Sequence, residues 1–367
     1  MRVLHVISDR NIGGAGILLL NLLRHLDREK VESIVALPRG SRLRGAILQT
    51  GTVIVELENP CDRISAASVW ELVGVIRSVH PDIVHTSAAI SARLAGKLCR
   101  KKVVYTRHCS FPAEKRSLVG GLARNACNNA LCDRAIATAR AAVNDLRATG
   151  IPGRKITVIR NGCEAVREVA PEELELYRAK YGICAGDFCV GICARLEPCK
   201  GHEIFLRAAK TASDAMPDLP FRFLLIGEGS RRAELEALAG RLGIAERTIF
   251  TGFVSDPAPL YRLLNIHVNC SVGTETSCLA VSEGLSAGLP TVLSDYGGNR
   301  EMLGESGAGF CIAKGDPALL AAAVCKLAAD PALRAQMSKS ARRLYEQKYT
   351  ADRMAKQLTA VYFKLMR

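Results

Sequence analysis

The sequence predicts an α/β protein built from two doubly wound domains in tandem, and three observations carry this prediction. Its 367 residues are about two to three times the length of an ordinary domain. A content of 49% hydrophobic and 23% charged residues is typical of a globular chain with enough apolar area for two cores. In both halves, short β-branched runs alternate with helical stretches, which predicts βαβ units and a parallel sheet covered on both faces.

Seven apolar runs in the first half are predicted strands. They are RVLHVIS at 2–8, ESIVAL at 32–37, TVIVEL at 52–57, DIVHT at 82–86, KVVYT at 102–106, RAIAT at 134–138 and KITVI at 155–159. Amphipathic stretches such as 17–26 and 68–79 lie between them, with apolar residues at helical spacing. We therefore expect a parallel sheet whose strands are joined by crossover helices.

The second half repeats this scheme with five predicted strands. They are FCVGICA at 188–194, RFLLIG at 222–227, TIFTG at 248–252, IHVNC at 266–270 and TVLSD at 291–295. Because parallel strands separated by helices recur here, we expect a second doubly wound sheet.

The domain boundary is predicted from a polar stretch at 163–172 that leads into Pro171-Glu172-Glu173, a helix start. The last two helical stretches break at Tyr349-Thr350, and no strand follows them. The sequence thus predicts a first domain at 1–166, a second at 167–348, and a terminal helix at 349–367 that packs back on the first domain.

Composition excludes several classes of protein. No apolar run reaches the roughly 20 residues needed to cross a bilayer, and the start MRVLHVISD has no signal-peptide pattern. We therefore expect a mature chain that starts at Met1 and stays in the cytoplasm. The 14 cysteines include no Cys-x-x-Cys, so we expect free thiols in a reducing compartment and no metal site. Cys189 and Cys193 are expected on one strand face as small apolar side chains.

The positive charge is concentrated in the first half. Residues 1–165 carry 25 Lys and Arg against 13 Asp and Glu, whereas residues 166–367 carry 25 against 23. A surplus of this size favours an anionic partner: nucleic acid, a phosphorylated substrate or the inner leaflet of a membrane. A solvated basic face that aids solubility explains the charge equally well.

Ligands of doubly wound domains bind at the carboxyl ends of the strands, so residues that follow strands are the candidates for chemistry. Gly13, Gly14 and Gly16 open a helix after the first strand and can bring backbone amides close to an anion, although a tight turn explains them equally well. Arg195 and Lys200 follow the strand at 188–194 and are spaced to hold a diphosphate. A solvated loop is the alternative for this pair.

The most informative stretch is GTETSCLAVSEGLSAGLPTVLSDYGGNRE. Glu275 and Glu283 are separated by seven residues, and a helix is predicted to start near Leu279. Two carboxylates around a helix start can hold sugar hydroxyls while the first amides of the helix bind phosphate. Compensation of the helix dipole explains Glu275 but leaves the Gly-Gly-Asn-Arg-Glu loop unexplained.

The chain resembles the retaining glycosyltransferases of family 4, which have the GT-B fold of two Rossmann-like domains facing across a cleft. The matching segments cover almost the whole chain. They are the GGAG loop, VVYTRH, CDRAIATARAAVNDLRATGIPGRKITVIRNG, GICARLEPCKGHEIFLRAA, LLIGEGSRRAELEALAGRLGI, TGFV and the Glu-seven-Glu stretch with its GG-x-x-E tail.

The resemblance implies a donor substrate that is a UDP- or GDP-linked sugar, with no further cofactor and no metal. Arg195 and Lys200 would neutralise the diphosphate as it leaves, Glu275 would hold hydroxyls of the transferred sugar, and Glu283 would bind the ribose. His108 would lie near the reaction centre; His85 also follows a strand, and a structural role is the alternative for it. Backbone groups would complete the donor site, with Gly14 of the Gly13–Gly16 loop and Leu279 and Ala280 facing phosphate, and Phe253 and Val254 facing the base.

One segment departs from the family pattern. Where the family commonly has a Gly-Phe-Gly-like run after the first glutamate, this chain has Thr276-Ser277-Cys278. Side chains at these positions would narrow the sugar pocket or add hydroxyl contacts, so the donor sugar does not follow from the resemblance.

The resemblance places the acceptor on the basic first domain, and hence predicts a glycan or lipid-linked acceptor, as in cell-surface polysaccharide assembly. Three basic segments carry the charge, at 37–46, 97–102 and 114–127. The last, with Lys115, Arg116 and Arg124, suits an amphipathic helix on an anionic membrane surface, which would make the enzyme peripheral to the inner face of the plasma membrane.

Three other functions are alternatives. A sugar-nucleotide epimerase of the same architecture would use the same phosphate site but needs acid and base carboxylates that the sequence does not place. A two-lobed sugar-binding protein would be expected to carry an export signal. A nucleic-acid binder would account for the charge but not for Glu275 and Glu283, and no recognition motif is present, so no nucleic-acid partner is predicted.

Overall fold

The computed structural model describes residues 1–59, 61, 64–87, 89–108 and 118–367. The chain divides into two compact units, one formed by Met1–Cys163 with Tyr349–Arg367 and the other by Glu164–Lys348. Each unit contains one parallel sheet with helices packed against it. The predicted fold class, two doubly wound α/β domains, is confirmed.

The sheet of the first unit consists of parallel strands that match the seven predicted ones. In the part of the chain that the structure describes they are β1 (Arg2–Val6), β2 (Glu32–Pro38), β3 (Val53–Leu57), β4 (Ile83–Thr86), β5 (Lys102–Arg107), β6 (Arg134–Ala137) and β7 (Ile156–Val158). Their order is β3-β2-β1-β4-β5-β6-β7. Every residue of β4 is buried, as expected for a central strand with helices on both faces.

The helices of this unit join successive strands. They are α1 (Gly14–His25), α2 (Arg44–Gln49), α3 (Ala66–Val79), α4 (Ile90–Leu98), α5 (Leu118–Ala130) and α6 (Arg140–Ala148). The predicted stretches at 17–26 and 68–79 correspond to α1 and α3. Helix α3 begins at Ala66 because the Ser65 hydroxyl caps it, accepting from the Ser68 amide at 3.0 Å.

The sheet of the second unit has six parallel strands among residues 164–348, all of which the structure describes. They are β8 (Phe188–Cys193), β9 (Phe221–Ile226), β10 (Thr248–Gly252), β11 (Ile266–Asn269), β12 (Thr291–Ser294) and β13 (Gly309–Ile312), in the order β10-β9-β8-β11-β12-β13. The five predicted strands are confirmed. Strand β13 was not predicted, because its four half-buried residues at the sheet edge form no long apolar run.

Helices also cover both faces of this second sheet. They are α7 (Pro171–Tyr181), α8 (His202–Ala215), α9 (Arg232–Arg241), α10 (Ala258–Leu263), α11 (Leu279–Ser286), α12 (Asn299–Leu303), α13 (Pro317–Ala329) and α14 (Pro331–Lys348). Cys189 and Cys193 pack in the same apolar cluster on one face of β8, as predicted. Burial raises the pKa of both thiols to about 12, so they remain protonated and act as apolar side chains.

A final helix, α15 (Ala351–Met366), belongs to the first unit and packs against α1. Tyr362 of α15 is fully buried, and its hydroxyl lies 2.6 Å from Nδ1 of His85. The other ring nitrogen of His85 lies 2.7 Å from the Thr106 hydroxyl. Because both nitrogens are bonded in the interior, His85 has the structural role that the sequence left as an alternative.

Strand order reverses beside the first strand of each sheet, between β1 and β4 in one unit and between β8 and β11 in the other. Doubly wound sheets bind ligands outside the carboxyl ends of the strands at such a reversal. The loops that follow β8 and β11 are therefore the part of the second unit to inspect for a site. No helix in the described ranges is both long enough and apolar enough to span a bilayer.

Candidate active site

The loops that follow β8 and β11 bring a lysine and a glutamate together at the carboxyl edge of the second sheet. Lys200 Nζ donates to Glu275 Oε2 at 2.8 Å, across 75 residues of sequence. The two side chains are 17% and 7% exposed. Burial disfavours the Lys200 charge, but the adjacent Glu275 carboxylate more than offsets this and raises the pKa of Lys200. Lys200 is therefore held as an ammonium in a place that is largely removed from water.

Backbone contacts hold these two loops against each other. The amides of Val272 and Gly273 donate to the carbonyl of Cys199 at 2.9 and 3.2 Å. Gly201 has φ +71°, and a Cβ at this residue would lie 2.1 Å from the Cys270 carbonyl oxygen. Only glycine combines this backbone conformation with such a close approach, so Gly201 is what allows Lys200 to reach the second loop.

Glu275 is held from a second side by Ser271, whose hydroxyl donates to the same oxygen, Oε2, at 3.1 Å. No side chain of the described residues donates to Oε1. Thr274, directly before Glu275, has φ +54°, which is a backbone outlier for a β-branched residue. Strain of this kind concentrates at functional sites, where the surrounding structure maintains it.

Glu283 lies in the second turn of α11, and its Oε2 accepts from the Tyr261 hydroxyl at 2.9 Å. The same hydroxyl lies 3.1 Å from the Ala280 carbonyl. Burial raises the pKa of Glu283, and the bond from Tyr261 only partly opposes that shift. Glu275 and Glu283 thus differ in environment: one is ion-paired, and the other accepts a neutral hydroxyl.

Helix α11 begins at Leu279, which confirms the predicted helix start. Its N-cap residue, Cys278, makes no side-chain capping bond, and the first turn contains no acidic residue. No carboxylate therefore compensates the first turn of α11, and a helix start of this kind favours an anion. The Cys278 sulfur accepts from the Asn269 side-chain amide at 3.2 Å. In the Thr276–Cys278 segment, which differs from the family pattern, this side chain is therefore bonded within the protein.

The structure places Arg195 and Phe253 differently from the buried pair. Arg195 lies two residues after the end of β8 and is exposed. Its side chain forms no hydrogen bond within the described residues. Phe253 follows β10 and is 63% exposed, while its amide donates to Glu228 at 3.1 Å. Val254, next to it, is half-buried. Exposed charge and an exposed ring are suited to contact a ligand rather than the core.

In the first unit, the three glycines of the early loop divide into two kinds. A Cβ at Gly13 or Gly14 would meet nothing within 4 Å, so these positions are open. A Cβ at Gly16 would lie 2.7 Å from the Leu43 side chain, so this buried residue serves packing of α1. The prediction that the backbone amides of Gly13, Gly14 and Gly16 approach an anion stays a prediction, and packing against Leu43 is a second reason for glycine at position 16.

His108 follows β5 and is half-buried at the carboxyl edge of the first sheet. With His5 and His85 it lines a cavity of about 50 Å³ whose other walls are mainly aliphatic. Burial lowers the pKa of His108 to about 4, so the ring is neutral at physiological pH. A neutral imidazole can accept or donate a hydrogen bond to a substrate hydroxyl.

The residues that support the two glutamates were not predicted from the sequence. Ser271 and Tyr261 bond them directly, and Asn299 lies in a buried network behind Ser271. Tyr261 and Ser271 lie in an apolar helix and an ordinary loop, which carry no signal. Asn299 belongs to the Gly-Gly-Asn-Arg-Glu motif, and this motif is the signal that the sequence offers for it.

Taken together, the second unit offers a buried ammonium and uncapped helix amides for an anion, and two carboxylates for hydroxyl groups. Preorganised charge in a water-poor site stabilises an anion that forms during a reaction far better than the same charge in water. The arrangement is suited to a phosphorylated sugar compound.

Comparison with known proteins agrees with this chemistry. Residues 12–167 match the family model for Glycosyltransferase Family 4, and residues 174–344 match that for Glycosyl transferases group 1. The chain is 30% identical over 287 residues to the 2-deoxystreptamine glucosyltransferase of Streptomyces kanamyceticus, covering 73% of each chain. It is 29% identical over 314 residues to glycosyltransferase EpsD of Bacillus subtilis, covering 81% of each.

Solved structures agree on the fold. Anabaena Alr3699/HepE in complex with UDP superimposes with a TM-score of 0.85 at 21% identity, covering 99% of this chain and 100% of that one. WaaG, a glycosyltransferase involved in lipopolysaccharide biosynthesis, superimposes with a TM-score of 0.72 at 13% identity, covering 98% and 99%. These matches do not favour the epimerase, sugar-binding or nucleic-acid alternatives. The chain belongs to the family 4 glycosyltransferases of the GT-B fold, and it is a transferase enzyme.

Proposed function

We propose that this enzyme transfers a sugar from a UDP-linked donor to an acceptor hydroxyl, with retention of the anomeric configuration. The observation that carries the proposal is the buried Lys200–Glu275 pair beside the uncapped start of α11. A uridine donor is supported by HepE, whose structures contain UDP or UDP-glucose.

Release of UDP, GDP and ADP from a panel of sugar nucleotides tests the choice of a uridine donor. Release of GDP or ADP alone would contradict it.

Different groups of the proposed donor site bind different parts of the sugar nucleotide. Lys200, Arg195 and the amides of Leu279 and Ala280 bind the diphosphate and stabilise the charge that develops as it departs. The exposed Phe253 ring, with the backbone at Val254, faces the base. In the first unit, the Gly14 amide is the proposed phosphate contact and His108 the contact to the transferred sugar.

The reaction is proposed to proceed on one face of the sugar. The bond between the anomeric carbon and the phosphate oxygen breaks, and the acceptor oxygen bonds to the carbon on the same face. The acceptor proton passes to the departing phosphate oxygen, which serves as the base. This route needs no protein nucleophile, which agrees with the environment of Glu275, whose carboxylate is ion-paired to Lys200.

The acceptor is proposed to be anionic or lipid-linked, and this proposal rests on the basic first half of the chain. Residues 109–117 lie outside the described part of the chain, and Lys115 and Arg116 of the proposed membrane-binding segment are among them. Arg124 of the same segment lies in α5. Each cation near an anionic leaflet contributes about 1 kcal/mol, so a few suffice for reversible binding.

We expect Lys200→Ala to lower kcat/KM for the sugar nucleotide by about 30- to 1000-fold, which corresponds to about 2–4 kcal/mol of lost transition-state stabilisation. Binding of free UDP weakens as well, because the ammonium faces the diphosphate. Lys210→Ala, which removes a 43% exposed lysine from α8, is the control and leaves both quantities unchanged. Unchanged turnover in Lys200→Ala would refute the assignment.

The two glutamates are expected to separate in calorimetric titrations. Glu275→Gln impairs turnover of the intact sugar nucleotide but leaves the affinity for UDP unaltered, because its proposed contact is to the sugar. Glu283→Gln weakens both ligands, since the ribose is common to them. If the two variants show the same binding profile, the proposed division between sugar and ribose is wrong.

The free enzyme should become more stable when Glu283 is replaced by Gln at pH 7. Burial raises the pKa of Glu283 in the folded protein above its value of 4.5 in the unfolded chain. The protonated carboxyl therefore adds stability below pH 4.5, and this stability is lost as the pH rises through the folded pKa. Glutamine keeps an acceptor for Tyr261 and has no charge to desolvate. Differential scanning calorimetry of Glu283→Gln is therefore expected to show a higher Tm at pH 7 and little difference near pH 4.5.

Glu236→Gln, on the surface of α9, is the matched control, because its exposed ion pair with Arg232 contributes little. A Tm below the wild-type value for Glu283→Gln at pH 7 would show that the ionised carboxylate stabilises the fold, which contradicts this account.

Membrane binding is tested by co-sedimentation with vesicles. The protein is expected to bind vesicles that contain anionic lipid, not neutral ones, and to dissociate at high salt. Lys115→Glu with Arg116→Glu abolishes binding without lowering donor affinity, whereas Lys339→Glu with Lys348→Glu, an equal change of charge on the second unit, does not. Equal partition into both kinds of vesicle, or into neither, would favour a soluble acceptor.

A further inference from the structure

A buried chain of polar side chains runs behind Glu275, and the donor contacts proposed above do not use it. Its members are four residues from the ends of β11 and β12 and from the start of α12, each at most 3% exposed: Asn269, Ser271, Ser294 and Asn299. A buried polar group needs a hydrogen-bond partner, and such networks fix a single arrangement of the groups they join.

Asn299 occupies one end of this network and is completely buried. Its amide group donates to Asn269 Oδ1 at 3.2 Å and to the Ser294 carbonyl at 3.1 Å. It thereby ties the ends of two neighbouring strands to each other. Two glycines precede Asn299, and at the first, Gly297, a Cβ would lie 1.9 Å from the Glu275 carbonyl oxygen. The loop that carries Asn299 therefore lies directly against the backbone of Glu275.

Ser271 occupies the other end and is held through its main chain on both sides. Asn269 Oδ1 accepts from the Ser271 amide at 3.1 Å, and the Ser294 hydroxyl donates to the Ser271 carbonyl at 2.6 Å. With its backbone fixed in this way, Ser271 directs its hydroxyl to Glu275 Oε2 at 3.1 Å. The same oxygen accepts from Lys200, so the network ends on the ion pair.

Asn269 extends the network to the helix start as well, since its amide group donates to Cys278 Sγ at 3.2 Å. A single residue thus links Asn299 to the loop of Glu275 and to the residue that precedes α11. Aliphatic side chains would fill such an interior with no requirement for partners, whereas each polar group here would cost about 1–3 kcal/mol if left unbonded. The connection to the ion pair is what distinguishes this network from ordinary core.

We propose that Asn299 is a positioning residue that acts through Asn269, Ser294 and Ser271 to fix the Glu275 carboxylate, and with it the Lys200 ammonium, in the orientation that the transferred sugar and the leaving diphosphate require. This inference rests on the proposed function. The proposal gives the Gly-Gly-Asn loop a role, because buried hydrogen bonds connect Asn299 to Glu275 in the proposed donor site.

The test compares two variants of the network with one control in the full-length enzyme. Asn299→Ala and Ser271→Ala are each expected to lower kcat/KM for the UDP-sugar by about 10- to 100-fold, the usual effect of a small misplacement of catalytic groups. The loss lies in kcat, and the Kd for UDP changes less than about twofold, because no phosphate contact is removed. Thr291→Ala, at a fully buried residue of β12 whose hydroxyl donates to the Leu289 carbonyl outside this network, leaves kcat unchanged even where it lowers Tm.

The double variant Asn299→Ala with Ser271→Ala distinguishes positioning from separate structural damage. If Asn299 acts through Ser271, the kcat/KM of the double variant is close to that of the single variant with the lower kcat/KM. Losses that multiply, or a kcat for Asn299→Ala and Ser271→Ala no lower than that of Thr291→Ala, would overturn the inference. If Asn299→Ala does not fold, Ser271→Ala decides, since it removes one hydroxyl and leaves the backbone bonds in place.

The two proposals fail in different ways. Wild-type enzyme that releases no nucleotide from any sugar nucleotide overturns the proposed function, and the present inference with it. Wild-type turnover that the Asn299 and Ser271 variants retain in full overturns the inference alone.

Discussion

A lysine and a glutamate from loops 75 residues apart form an ion pair of 2.8 Å in a place that is mostly closed to water. Desolvating two charges costs several kcal/mol per ion, and their attraction offsets this only where geometry and further hydrogen bonds are good. The second unit meets this condition with Ser271 on the carboxylate and a glycine, Gly201, that lets the lysine loop approach. The strand reversal between β8 and β11 brings the two loops together, and the bonds from the Val272 and Gly273 amides to the Cys199 carbonyl hold them there.

Several features of the candidate site are unfavourable for stability. Glu283 is a carboxyl group whose charge is disfavoured by burial, which raises its pKa, and Thr274 is held in a backbone conformation that β-branched residues avoid. The start of α11 has a cysteine at its N-cap and no acidic residue in its first turn, where Ser, Thr, Asp or Asn would stabilise the helix. Sites that must bind charged groups are often less stable than the same fold optimised for stability alone.

The fold was predictable because β-branched segments that alternate with amphipathic ones indicate parallel sheets covered by helices. Twelve strands were predicted from this pattern. The edge strand Gly309–Ile312 was not, because four half-buried residues give no periodic signal. Lys200 and Glu275 were predicted individually from their place after strands, but the bond between them depends on loop geometry. The close approach of Leu43 to Gly16 could not be predicted either, because it depends on how α1 packs in the fold.

The claim that Lys200 and Glu275 act as one unit is tested most directly by a double-mutant cycle on kcat/KM for the sugar nucleotide that the enzyme uses. Lys200→Ala, Glu275→Gln and the double variant are compared with wild type, and each variant is checked for folding by its Tm. The account predicts coupling, with the double variant losing much less than the product of the two single losses, because either change removes the same ion pair, although each residue also loses its own donor contact. Losses that simply multiply would show two independent residues and would contradict the account.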